Sequence, residues 1–131
     1  MTISVVVKLR NDIQNLLLEI KENNIEAAIQ TLDRVINISN SMNSFNARML
    51  LASVYEIKKD YSNAIVEYLK IAYSGLDDKK LSNEALFRAA QMYEKAGNFK
   101  EAKKVYQKVA DLNNSDWEIA SVKKLEELKN K

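Results

Sequence analysis

The side chains that most often carry chemistry are nearly absent from this chain. Its 131 residues include no cysteine and no histidine, which closes off thiolate nucleophiles, imidazole bases, disulfides and the usual zinc or haem ligation. Carboxylates and amines remain. Asp77-Asp78 and Glu126-Glu127 are adjacent carboxylates. Such a pair does general acid/base work only where a pocket separates the two pKa values, and by pattern these are loop and helix-surface residues. Lys100, Lys103, Lys104 and Lys108, continued by Lys123 and Lys124, make a basic strip. Glu101 and Asp111 dilute it, and no arginine or aromatic residue stands at base-reading distance, so a solvated helix face accounts for it. Trp117 has two readings, an interface anchor or packing at the start of a helix. With no nucleophile beside a base and no metal or phosphate motif, the expectation is a protein that is not an enzyme and takes no cofactor and no metal.

The totals agree. Twenty basic against eighteen acidic residues leave +2, too little for a nucleic-acid footprint or attraction to an anionic membrane. The length suits one domain over 1–131. The apolar stretch Ile3 to Val7 has no basic residue before it and no cleavage site after it, unlike a secretory leader. No run reaches the roughly 18 apolar residues that cross a bilayer. The default is a cytoplasmic protein, or a periplasmic one if a leader has been removed.

What must position the remaining side chains is a set of repeated elements. Ala52, Tyr55, Tyr61, Ala64, Tyr68 and Ala72 recur 38 residues later as Ala90, Tyr93, Phe99, Ala102, Tyr106 and Ala110. A fainter copy lies 36 residues upstream, in Ile25, Ala28, Ile29, Leu32 and Ile36. Within each unit the apolar residues follow the three-and-four spacing of an amphipathic helix, twice, around a polar break. The breaks are Glu22-Asn23-Asn24, Lys58-Lys59-Asp60 and Ala96-Gly97-Asn98; Gly97 suits the left-handed conformation that ends a helix, and Asn23 or Asn24 is the next best choice. The spacing predicts helices over about 5–22, 25–39, 45–59, 61–74, 82–96, 99–112 and 116–129. That is an all-α chain of three hairpins, over about 9–42, 43–80 and 81–114, with a final helix in 115–130. Ser115 with Glu118 has capping-box spacing, and Ile119, Val122, Leu125 and Leu128 form the last stripe.

These residues resemble the tetratricopeptide repeat (TPR) family, whose unit is a helix-turn-helix of about 34 residues. The family pattern of leucine, small residue, tyrosine, then aromatic, alanine, aromatic is met by Leu51, Ala52, Tyr55, Tyr61, Ala64 and Tyr68, and mostly by Ala90, Tyr93, Gly97, Phe99, Ala102 and Tyr106. Arg48 and Leu86 stand where the family has its first tryptophan, the closing proline is missing, and the period is longer by two to four residues. The link from Tyr73 to Lys80 and the ending from Asn114 to Leu128 are similar to longer-linked repeats of bacterial envelope-assembly proteins. The resemblance implies a right-handed superhelix of about seven helices, with the first and last as caps. It implies close helix contact at Ala64 and Ala102, where a larger side chain would cost about 1–3 kcal/mol.

The resemblance also implies a function, the binding of a segment of another protein in a concave groove lined by the first helix of each hairpin. Carrying over repeat positions assigns Asn46, Met49, Ser53 and Glu56 to the groove from the second hairpin. Glu84, Phe87, Arg88, Gln91 and Glu94 come from the third, and Ile13, Leu17 and Ile20 from the first. Met49 and Phe87, one period apart, either form an apolar stripe for a partner helix or pack within the stack. Of the residues that clamp a terminal carboxylate in some members of the family, only Arg88 has a counterpart, so an internal segment is the expected ligand. The alternative is a structural, self-associating protein, an envelope-complex component in that setting, whose end helices dock through Val5, Val6, Val7 and Leu9. Residues Ile3 to Leu9 also suit a strand.

Overall fold

The computed structural model describes residues 24–38, 42–75, 77–112 and 116–131. Among them are six helices and no strand: α1 (Ile25–Ile38), α2 (Met42–Ile57), α3 (Tyr61–Ala72), α4 (Lys79–Lys95), α5 (Phe99–Ala110) and α6 (Glu118–Glu127). The all-α helical-repeat architecture expected from the spacing is the one observed. The helix expected over 5–22, with Ile13, Leu17, Ile20 and the Val5 to Leu9 stripe, lies outside the described residues.

Polar side chains set the helix starts. Asp60 Oδ1 accepts from the Asn63 amide at 3.3 Å, and Asn98 Oδ1 from the Glu101 amide at 3.3 Å. Asp78 Oδ1 accepts from the Leu81 amide at 3.1 Å. Each satisfies an amide left over in the first helical turn. The cap at Asp78 starts α4 at Lys79, before the expected residue 82, so one of the paired loop carboxylates is a helix cap. The capping box at the last helix is corrected. Trp117, in helical backbone, occupies the cap position of α6, and Ser115 lies outside the described residues.

Two turns end α2 and α4 in the same way. Lys59 N–H donates to Glu56 O at 2.9 Å and Asp60 N–H to Tyr55 O at 2.8 Å; one period later Gly97 N–H donates to Glu94 O at 3.0 Å and Asn98 N–H to Tyr93 O at 2.9 Å. These are paired 5→2 and 6→1 bonds around a left-handed residue. Gly97 has φ of 81° as the sequence suggested, but its counterpart is Lys59, at φ of 63°. A side chain in that region is strained by roughly 1 kcal/mol. Lys59→Gly is expected to raise the unfolding free energy by about 0.5–1 kcal/mol and Gly97→Ala to lower it by about 1 kcal/mol, opposite signs that urea titration resolves.

Extensive packing runs between helices consecutive in the chain, α1 on α2, α2 on α3, and so on to α6. Each first helix therefore needs two apolar rows. Along α2, Ala47, Leu51 and Val54 pack on Ala28, Leu32 and Val35 of α1, while Ala52 faces Ala64, Tyr68 and Ile71 of α3. Along α4, Ala85, Ala89 and Met92 turn back to that same α3 cluster. Leu86, Phe87 and Ala90 turn forward to Ala102, Val105, Tyr106 and Val109 of α5. Burial repeats with the sequence: Ala52 and Ala90, Ala64 and Ala102, and Tyr68 and Tyr106 are all fully buried. An alanine at each crossing brings the helices close enough for the neighbouring tyrosine to fill the remaining space.

One matched pair of positions differs in chemistry. Arg48 Nη1 meets Glu67 Oε2 at 2.6 Å, tying α2 to a buried carboxylate on α3, with Lys70 at 3.4 Å from its other oxygen. Thirty-eight residues on, the same two positions are Leu86 and Val105, both buried in the α4–α5 core.

On α6, Leu128 is buried and Leu125 partly so, completing the core behind α5. The other half of the expected stripe is corrected: Ile119 is 83% and Val122 54% exposed. At about 100° per residue, Ile119 lies on the side of α6 opposite Ser121 and Leu128 and Val122 lies more than a quarter turn from both, so one neighbour cannot bury all four.

Candidate functional site

Ion pairs cross from α2 to α4 and from α4 to α6. Lys95 Nζ of α4 meets Glu56 Oε1 of α2 at 3.0 Å. Lys124 Nζ of α6 meets Glu94 Oε2 of α4 at 3.4 Å. These half-exposed contacts add little stability one by one, but they fix which polar groups share this face. Lys95 was not singled out from the sequence, and Lys124 stood there only as a continuation of the basic strip.

The expected groove residues divide by environment. Asn46 is exposed, and Met49, Ser53, Glu56, Arg88, Gln91 and Glu94 are half-buried. Ser53 Oγ donates to Met49 O at 3.1 Å and lies 3.4 Å from the Tyr68 hydroxyl. Arg88 donates from Nε and Nη2 to Glu84 Oε1, at 3.1 and 3.0 Å, along its own helix. Met49 packs on the α2–α3–α4 core. Phe87 is corrected as an exposed contact. It is 5% exposed, with its ring stacked on Trp117 at 4.8 Å and edge-on to Tyr106 at 5.5 Å. Between the two readings left open, the structure puts Phe87 and Trp117 in packing, because α6 closes over the position that the carry-over left open to solvent.

Beneath the face, Tyr106 donates its hydroxyl to Glu94 Oε1 at 2.8 Å, so one carboxylate joins the core of hairpin α4–α5 to Lys124 of α6. Burial first, then this bond to a negative group, hold the Tyr106 phenol far above its ordinary pKa. Burial also raises Tyr68, against a smaller opposing effect of its contact with Ser53. An unfolded tyrosine loses its proton near pH 10, and these two hold theirs to higher pH while folded. Their contribution to stability is therefore full below about pH 10 and declines as pH rises above it. Phenolate absorbance is expected to show Tyr106 ionising only with unfolding, and Tyr106→Phe is expected to flatten the alkaline loss of stability.

The second-helix side differs. Lys104 pairs with Glu101 at 3.1 Å. Lys108 Nζ lies 3.3 Å from the Tyr73 hydroxyl and 5.7 Å from its ring centroid, Lys103 reaches the Lys131 carbonyl, and Lys100 is exposed. The basic strip is thus a surface in which several lysines are locally engaged. Glu126 and Glu127, the other paired carboxylates, are exposed beside Lys129 and Lys124. A cleft of about 270 Å³ lies around the α3–α4 link, lined by Tyr73, Lys79, Asn83, Leu86 and Leu112 among others. It lies off the row of expected groove residues. Among the described residues no group of three or more acidic side chains is placed to hold a metal ion, and no helix is long and apolar enough to cross a membrane.

No curated protein matches the sequence. A family model described as soluble NSF attachment protein, SNAP, matches residues 11–123, a span that takes in all of α1 to α5 and the first half of α6. The match covers most of the chain, and the chain belongs to the SNAP family.

Proposed function

We propose that the chain is a non-catalytic interaction scaffold whose repeats are of the TPR type, forming one domain over 1–131. In this reading it holds a segment of another protein across the face of α2 and α4. The observation that carries the reading is the polar row shared by these helices. Asn46, Ser53, Glu56, Arg88, Gln91 and Glu94 stand on neighbouring first helices bridged by Glu56–Lys95, with Met49 half-buried among them. With Phe87 covered, recognition rests on hydrogen bonds and charge more than on an apolar stripe. The family is named for attachment to a protein, NSF, which agrees with a role as adaptor. The proposed setting is the cytoplasm.

A photo-cross-linking residue placed at Asn46 or Gln91 tests this in cells. The reading expects covalent capture of the same protein from both positions and none from Lys100 or Lys104 on the second-helix side. Capture only from the lysine positions would refute it.

The exposed Ile119 and Val122 on α6 favour a second reading, self-association through an end helix. Light scattering over a concentration series is the test, and a single 15.0 kDa species throughout would dispose of it.

A further inference from the structure

Hairpins α2–α3 and α4–α5 carry the same alanines and tyrosines at the same burial. Size and polarity at those positions therefore cannot tell α2 whether to fold onto α3 or onto α5. Repeat proteins fail characteristically in this way, by pairing one unit with the wrong copy of another. Arg48 and Glu67 break the degeneracy. Arg48 of α2 reaches a buried carboxylate on α3 at 2.6 Å, whereas the equivalent residue of α5 is Val105. Leu86 of α4 belongs with Val105, and against α3 in the same register it would meet Glu67.

We infer that the Arg48–Glu67 ion pair is a pairing code that makes α2 select α3 over α5 as its hairpin partner. In the wrong pairing Arg48 would be held against an apolar wall, and Glu67, buried, would lose its closest cation. Glu67 would then be a buried carboxylate short of a partner, and the half-buried Arg48 would lose its own. A buried polar contact of this kind works chiefly by penalising the alternative arrangement. This role is independent of whatever the first-helix face binds.

The test is refolding of the whole chain from denaturant at high protein concentration, with the monomeric fraction read by size-exclusion chromatography and light scattering. Three variants separate the pairing role from simple stabilisation. Arg48→Leu/Glu67→Val erases the code and is expected to raise the misassembled fraction several-fold, with a urea midpoint close to that of the parent chain. Arg48→Glu/Glu67→Arg keeps the code with reversed polarity and is expected to refold like the parent. Adding Leu86→Arg/Val105→Glu to the erased chain moves the code to the other hairpin and is expected to restore the monomer. The inference is overturned if the erased chain refolds as cleanly as the parent. It is equally overturned if neither the reversed nor the relocated pair rescues refolding.

Discussion

Tyr106→Ala is expected to lower the unfolding free energy by about 3–5 kcal/mol, the range for emptying a buried aromatic site. The phenol ring is fully buried in the α4–α5–α6 core and stands edge-on to Phe87, which itself stacks on Trp117. Its loss opens a cavity at the junction of three helices, and Glu94 loses the hydroxyl that donates to it at 2.8 Å. Tyr106→Phe separates the two effects. It keeps the ring and removes only the hydrogen bond, a change of about 1.5–3 kcal/mol for a bond to a charged acceptor. Equilibrium unfolding in urea measures both. A Tyr106→Ala loss no larger than that of Tyr106→Phe would mean that the ring does not fill the space between the helices.

The second large effect is at Arg48. Arg48→Leu is expected to cost about 2–3 kcal/mol, because Glu67 stays buried without its closest cation. The figure is below the roughly 3–5 kcal/mol of a fully buried broken pair, since Arg48 is partly exposed and Lys70 lies 3.4 Å from the same carboxylate. Arg48→Leu/Glu67→Val, which copies the chemistry of Leu86 and Val105, is expected to return to within about 1 kcal/mol of the parent. A double variant as unstable as the single one would show that the two hairpins are not equivalent at these positions.

The parts of the structure legible in the sequence are those where one residue type satisfies one physical demand. Alanine every 38 residues marked the helix crossings because no larger side chain fits there, and tyrosine marked the space beside them. Gly97 announced a left-handed turn because glycine enters that region without strain. Lys59 gave no such sign. Its conformation is imposed by the two backbone bonds that close α2, a tertiary demand that the side chain tolerates.

Phe87 shows the same limit from the other side. Its spacing placed it on a face that neighbouring repeats would leave open, and only the position of α6, with Trp117 over the ring, decides that it is covered. Ile119 and Val122 fit the periodicity of a buried stripe, yet only Leu125 and Leu128 reach the core, since among the described helices α6 packs extensively on α5 alone. Arg48 appeared as a departure from a family pattern, and its meaning came with Glu67, nineteen residues away on the next helix. The charged pairs across α2, α4 and α6 were out of reach for a similar reason, because period alone does not say which long side chains meet.

Native-state hydrogen exchange resolved helix by helix tests the stacking most directly. Where each helix packs mainly on its neighbours in the chain, opening at an end leaves the remainder intact. Protection is expected to be high in α2 and α4, each of which contributes to two of the three cores, and to fall from α4 through α5 to α6. A single opening free energy shared by all of the described helices, or greatest protection in α6, would contradict a stack built from neighbouring hairpins.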